Sequence, residues 1–123
     1  MRLDHIQLAM PPGSEERARA FYATLLGLEE EAKPEPLCAR GGCWFRRGAL
    51  IVHLGVESEF IAQRKAHPAF LVDDLDVLAR TLESAGHPVE WDTALPDRTR
   101  FYSADPFGNR LEFMQDGDGF SQR

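Results

Sequence analysis

Two stretches of about sixty residues carry the same succession of hydrophobic patterns, and a repeat of that length restricts the architectures open to the chain. In the first stretch, residues 3–9 alternate, with Ile6 and Leu8 on one face and His5 and Gln7 on the other, the period of a half-buried strand. Pro11, Pro12 and Gly13 stop it. Ser14 offers an N-cap, and Ala18, Phe21, Tyr22, Leu25 and Leu26 follow at the spacing of an amphipathic helix that Gly27 ends. After a Pro-punctuated stretch at 33–37 come two strand candidates, 43–46 and 49–55, joined by a tight turn at Arg47 and Gly48.

The pattern then begins again. Residues 67–72 read as a strand, and Asp73 or Asp74 caps a helix whose stripe is Leu75, Leu78, Ala79 and Leu82, ending at Gly86. Residues 89–91, 100–103 and 110–115 supply three short strands, the last two separated by the turn Asp105, Pro106, Phe107, Gly108. The polar stretch 58–66 has no sustained period and reads as a linker. A unit this short buries its own sheet poorly, so the halves should pair. The expected fold is α+β: two paired βαβββ modules, about 1–57 and 67–115, within a single domain spanning 1–123, with a flexible tail at 116–123. Helices would cover the outer faces, and the curved sheets would form a cleft.

Hydrophobic residues make up 43% of the 123, enough for a core without covalent staples. Twenty acidic against fourteen basic residues give a net charge of -6, and no Lys or Arg run follows a phosphate backbone, so neither nucleic acid nor an anionic membrane is an expected partner. The opening MRLDHIQLAM has no long apolar core and no later segment approaches the ~20 apolar residues of a membrane span, so a soluble, cytoplasmic protein is expected. Cys38 and Cys43 read as two reduced thiols in a loop, because one pair is neither a disulfide framework nor, alone, a zinc site.

Alternation also fixes where polar side chains point. If Ile6 and Leu8, Phe70 and Val72, Leu111 and Phe113, and Leu50, Val52 and Leu54 meet the helices, then His5, His67, Glu112 and His53 face the cleft. Two imidazoles and one carboxylate, from His5, His67 and Glu112, suit a divalent transition metal such as Fe, Mn, Ni, Co or Zn and leave coordination positions open. His53 is a fourth ligand or a general base beside the metal, and His53 and Glu112 are the candidate catalytic groups. Arg46, Arg100 and Tyr102 fall on alternating strand positions and are candidate contacts for an anionic substrate group. Trp44 and Trp91 read as core, and His87 as a surface residue without a role.

DHIQLAM in the first strand, FYATLLGL in the first helix, HPAFLVDDLD opening the second half and FYSADPFGNRLEF closing it together resemble the vicinal oxygen chelate superfamily over nearly the whole chain. That superfamily includes glyoxalase I, extradiol dioxygenases, fosfomycin-resistance thiol transferases, methylmalonyl-CoA epimerases and bleomycin-resistance proteins. The resemblance implies paired βαβββ modules and a metal held by His5, His67 and Glu112. The position of His53 is Glu in many glyoxalase I members; that departure and the short linker point away from glyoxalase I and toward the dioxygenase and fosfomycin-transferase branches. Extradiol dioxygenases usually carry more modules than fit here. The implied function is chelation of vicinal oxygens of a small substrate at a divalent cation, with stabilisation of a developing oxyanion or enolate, in a lyase or isomerase, thiol transferase or dioxygenase. The alternative is a metal-free protein that sequesters an antibiotic, as the bleomycin-resistance branch does. Inward His and Glu argue against it, because uncompensated buried polar groups cost ~1–3 kcal/mol each. A homodimer is expected, since related proteins often build the cleft from modules of two chains.

Overall fold

The chain divides after Ala62, inside the polar stretch expected to link the modules. The structure is a computed structural model that describes residues 1–117; of the expected tail, only Asp116 and Gly117 fall within the described residues. In the first unit, β1 (Ile6–Met10) leads into α1 (Glu15–Ala18), which runs on as a π-helical segment (Arg19–Leu25). Then come β2 (Glu29–Glu31), a short helix α2 (Glu35–Cys38), β3 (Cys43–Arg47) and β4 (Leu50–Val56). The sheet order is β1-β4-β3-β2, with β1 parallel to β4 and the other pairs antiparallel.

The helix departs from the expected winding. Leu26 N–H donates to Phe21 O at 2.9 Å, five residues back, so the ladder is wider than an α-helix allows, and beyond left-handed Gly27 the Leu28 N–H closes the end on Tyr22 O at 3.0 Å. Phe21 and Tyr22 are buried as neighbours, and Tyr22 stacks on Phe45 of β3 with ring centroids 5.7 Å apart. Cys43, Phe45, Val52 and Leu54 complete this helix-facing core. Ser14 stands at the N-cap position without a side-chain cap bond.

Strand β2 escapes the hydrophobic pattern because its three residues are all glutamate. Charge partners replace apolar ones: Glu30 accepts from Arg19 Nε at 2.8 Å, while Glu31, on the opposite face of the strand, meets Arg46 Nε at 3.1 Å. The thiols are not both in a loop. Cys38 is exposed on α2, and Cys43 is buried as the first residue of β3, where burial pushes its thiol up to about 11.

The second unit repeats the topology with β5 (Ala69–Val72), α3 (Leu75–Ser84), β6 (Glu90–Asp92), β7 (Arg100–Ala104) and β8 (Arg110–Gln115), in sheet order β5-β8-β7-β6. Asp74 is the helix cap, its Oδ1 accepting from Val77 N–H at 3.1 Å. Leu75, Ala79 and Leu82 of α3 are buried, as are Phe70, Phe101 and Phe113, whose rings lie 5.4–5.6 Å apart across the strands. The turn before β8 is closed by the Asp105 carboxylate, which accepts from the backbone of Phe107 and Asn109 and from Asn109 Nδ2, each at 2.9 Å.

Two expectations change here. Trp91 is 44% exposed on edge strand β6 rather than core, with only an edge contact to Phe101. His87 donates from Nδ1 to Ala104 O at 3.0 Å, so it ties the segment after α3 to β7. Among the described residues no helix is long and apolar enough to cross a membrane.

Gly42 sits at φ +89, and a Cβ there would lie 2.3 Å from Leu54 O. Gly42→Ala should therefore cost about 3 kcal/mol in a urea melt, against about 1 kcal/mol for Gly13→Ala, where φ is +72 but the space is open. With its pKa raised from 9.0 to about 11, Cys43 should resist alkylation at pH 8 while Cys38 reacts. That preference for the neutral thiol stabilises the fold below pH 9.0 and is lost as pH rises through about 11, which pH-dependent melts of a Cys38→Ser variant would show.

Candidate functional site

In the first unit the helix-facing core takes every second residue of β3 and β4, so Trp44 and His53, paired directly in register, point to the other face. The two rings lie parallel, centroids 4.0 Å apart with 1° between planes. Gln7 pairs with His53 from β1, and His5, two residues earlier, stacks on the far side of His53 at 4.3 Å. Trp44, read from sequence as core, is thus the floor of a three-ring column. His53 is 8% exposed, and burial together with neighbouring His5 holds its imidazole below the ordinary histidine pKa, favouring the neutral ring. His5 donates from Nδ1 to Asp4 Oδ2 at 2.9 Å. Arg46 shares this face but is engaged by Glu31.

In the second unit Phe101, Leu111 and Phe113 face the core, and Glu112 and Tyr102, again paired in register, face away from it. His67 lies two residues before β5 rather than on it, in a segment anchored where Glu112 N–H donates to Pro68 O at 3.0 Å. His67 Nδ1 donates to Lys65 O at 2.8 Å, and Nε2 stands 2.9 Å from Glu112 Oε1. A carbonyl can only accept, so Nδ1 carries a proton; Nε2 then presents a lone pair to a carboxylate oxygen unless a second proton or a cation lies between them.

Glu112 is 5% exposed, and its other oxygen, Oε2, accepts from Arg100 Nη1 at 3.1 Å. Arg100 Nη2 donates to Asp92 Oδ2 at 2.8 Å. Burial pulls the Arg100 pKa down, but the hydrogen bond and charge of Glu112, with Tyr102 and Asp92, outweigh it and hold the guanidinium above its ordinary value. Arg100, expected to meet substrate, therefore has two of its nitrogens on carboxylates of its own unit. Tyr102 stands edge-on to His67 at 5.5 Å, and the Arg110 guanidinium lies 4.0 Å above its ring. Asp92 was not singled out from sequence, whereas alternation with Leu111 and Phe113 already turns Arg110 to the same side as Glu112. For Asp92 the usable signal was its place opposite Arg100, which becomes visible once β6 and β7 are paired.

Among the described residues no three His, Cys, Asp or Glu side chains gather as a metal cluster. The candidate donors stand as two pairs, His5 with His53 and His67 with Glu112. The second pair fits a divalent ion in its chemistry. A nitrogen and an oxygen each bonded at ~2.0–2.2 Å to one ion, in neighbouring positions, lie roughly 3 Å apart, close to the 2.9 Å between Nε2 and Oε1. A ligating imidazole also characteristically donates its other N–H to a carbonyl, as His67 does to Lys65.

No protein-family model matches the chain, and no curated protein does. Among solved structures, a glyoxalase family protein from Bacillus anthracis is 50% identical, with a TM-score of 0.89 and coverage of 94% of both chains. A lactoylglutathione lyase from Agrobacterium tumefaciens is 22% identical with a TM-score of 0.65, covering 90% of this chain and 92% of that one. A fosfomycin resistance protein from Listeria monocytogenes, complexed with Mn(II) and a dihydroxypropylphosphonic acid, is 16% identical with a TM-score of 0.77, covering 93% and 91%. The last two share the fold. Half identity along nearly the full length of the Bacillus protein, with the same βαβββ order in both units, places this chain in the glyoxalase family of the vicinal oxygen chelate superfamily.

Proposed function

We propose that the chain is a metal-dependent enzyme of this superfamily, its divalent cation taking donors from His5, His67 and Glu112, with His53 as a fourth donor or as a base. The reading rests on one observation: His67 Nε2 and the Glu112 carboxylate face each other at 2.9 Å, with the other ring nitrogen committed to Lys65 O, so that a proton or a cation must lie between them. A divalent ion fits that place, bonded to the ring nitrogen and to the carboxylate oxygen that Arg100 leaves open. The Mn(II) held by the Listeria protein supports a divalent ion. When bound, such an ion supplies Lewis acidity for an enolate, alkoxide or other oxyanion developing between two neighbouring substrate oxygens.

The residues themselves divide the remaining work. Lys65 O sets the His67 tautomer, and Arg100 holds the Glu112 carboxylate. His53, stacked between Trp44 and His5, has its ring plane fixed, and in its neutral form one imidazole nitrogen can take a proton from the substrate carbon or hydroxyl. Arg46 and Tyr102 share the donor faces of their sheets and remain the candidate contacts for an anionic substituent.

Protein purified without chelator or affinity tag should carry near-stoichiometric Fe, Mn, Ni, Co or Zn by elemental analysis, and His67→Ala should lose it. Failure of the unaltered chain to take up any of these ions would return the reading to a metal-free binder. We also propose a homodimer; light scattering at micromolar concentration should give twice the chain mass, and a monomeric mass would contradict it.

A further inference from the structure

We infer that Arg100, fixed in place by Asp92, is a positioning residue for Glu112: it occupies one carboxylate oxygen so that the other alone faces His67. The inference rests on the metal-dependent reading above and adds to it the device that sets how the carboxylate is presented.

A glutamate carboxylate turns readily about its last side-chain bond, so an unrestrained Glu112 could offer either oxygen or both. Here each oxygen has its own partner, His67 Nε2 at 2.9 Å on Oε1 and Arg100 Nη1 at 3.1 Å on Oε2. The guanidinium is a rigid planar fork, and its second terminal nitrogen is tied to Asp92 Oδ2 at 2.8 Å, which fixes the plane of the fork as well as its distance. Asp92 is itself held, because its Oδ1 accepts from Ala94 N–H at 2.8 Å.

The strand pairing makes this arrangement stiff. Arg100 lies opposite Asp92 on β6 and opposite Met114 on β8, one alternation along from Glu112. The Arg100 and Asp92 side chains are only 17% and 23% exposed, so this is not a solvated surface pair. A carboxylate restricted to one donor oxygen leaves more of the coordination sphere to the substrate.

The test is titration of the metal-free full-length chain with Co(II), followed by its visible spectrum. Asp92→Asn keeps an oxygen for Ala94 N–H but turns an amide toward Arg100; Arg100→Lys keeps the charge and loses the fork. Each should weaken Co(II) binding on the order of 10-fold or more and change the band shape, because the Glu112 carboxylate is no longer held in one orientation. Arg19→Gln, which breaks an ion pair with Glu30 in the other unit, should match the unaltered chain in both readouts. Thermal melts of the metal-free proteins identify a variant that fails to fold, and Asp92→Asn, the milder change, then decides. Unaltered affinity and spectrum in Asp92→Asn would overturn the positioning role while leaving the metal site standing. No Co(II) uptake by the unaltered chain would instead overturn the metal-dependent reading, and this inference with it.

Discussion

A carboxylate withdrawn from water needs a polar neighbour at each of its oxygens, and the second unit is organised around meeting that requirement for Glu112. Antiparallel pairing of β7 with β8 sets Tyr102 across from it and Arg100 one alternation away; pairing of β6 with β7 then delivers Asp92 to Arg100. Parallel pairing of β5 with β8 places Ala69 beside Glu112, so that the segment just before the strand carries His67 to its free oxygen. None of these side chains is adjacent in sequence to Glu112. Register does the assembling, and the aromatic core of Phe70, Phe101 and Phe113 on the opposite face keeps the register from slipping.

The two units meet the same geometric problem with opposite chemistry. Each places an aromatic residue in register with its central donor, Trp44 with His53 and Tyr102 with Glu112, and each brings a histidine from just before its first strand. In the first unit the donor lies flat between two rings, an environment that favours an uncharged imidazole. In the second it is held by a guanidinium, Arg100 Nη1 lying 3.1 Å from Glu112 Oε2. The two central residues thus differ in their neighbours, aromatic rings in one repeat and a guanidinium in the other, rather than in backbone placement.

Most of the fold was legible because it is written in period. The alternation in β1, β4, β5 and β8 and the stripe of α3 are strong local signals, and they place His53 and Glu112 opposite the core without reference to tertiary contacts. Legibility failed where partners are nonlocal. The glutamates of β2 look like a solvated run until Arg19 and Arg46 are brought beside them. Trp44 looks like core by composition, yet parity with buried Phe45 puts it on the other face. Arg100 reads as a free cation because Asp92 lies on a different strand. The wider winding at Arg19–Leu25 leaves no mark in the 3.6-residue pattern that predicts a helix there.

The parity of these sheets also bears on how such a chain can diverge. Residues that hold each unit together and the candidate site residues occupy alternate places on the same strands, so an exchange at 53 or 112 alters the chemistry of one face without removing a side chain from the helix-packed layer. Mutational drift in one register is thereby insulated from the other. A duplicated module of this kind can vary the parity turned away from its helices while the helix-packed parity is inherited.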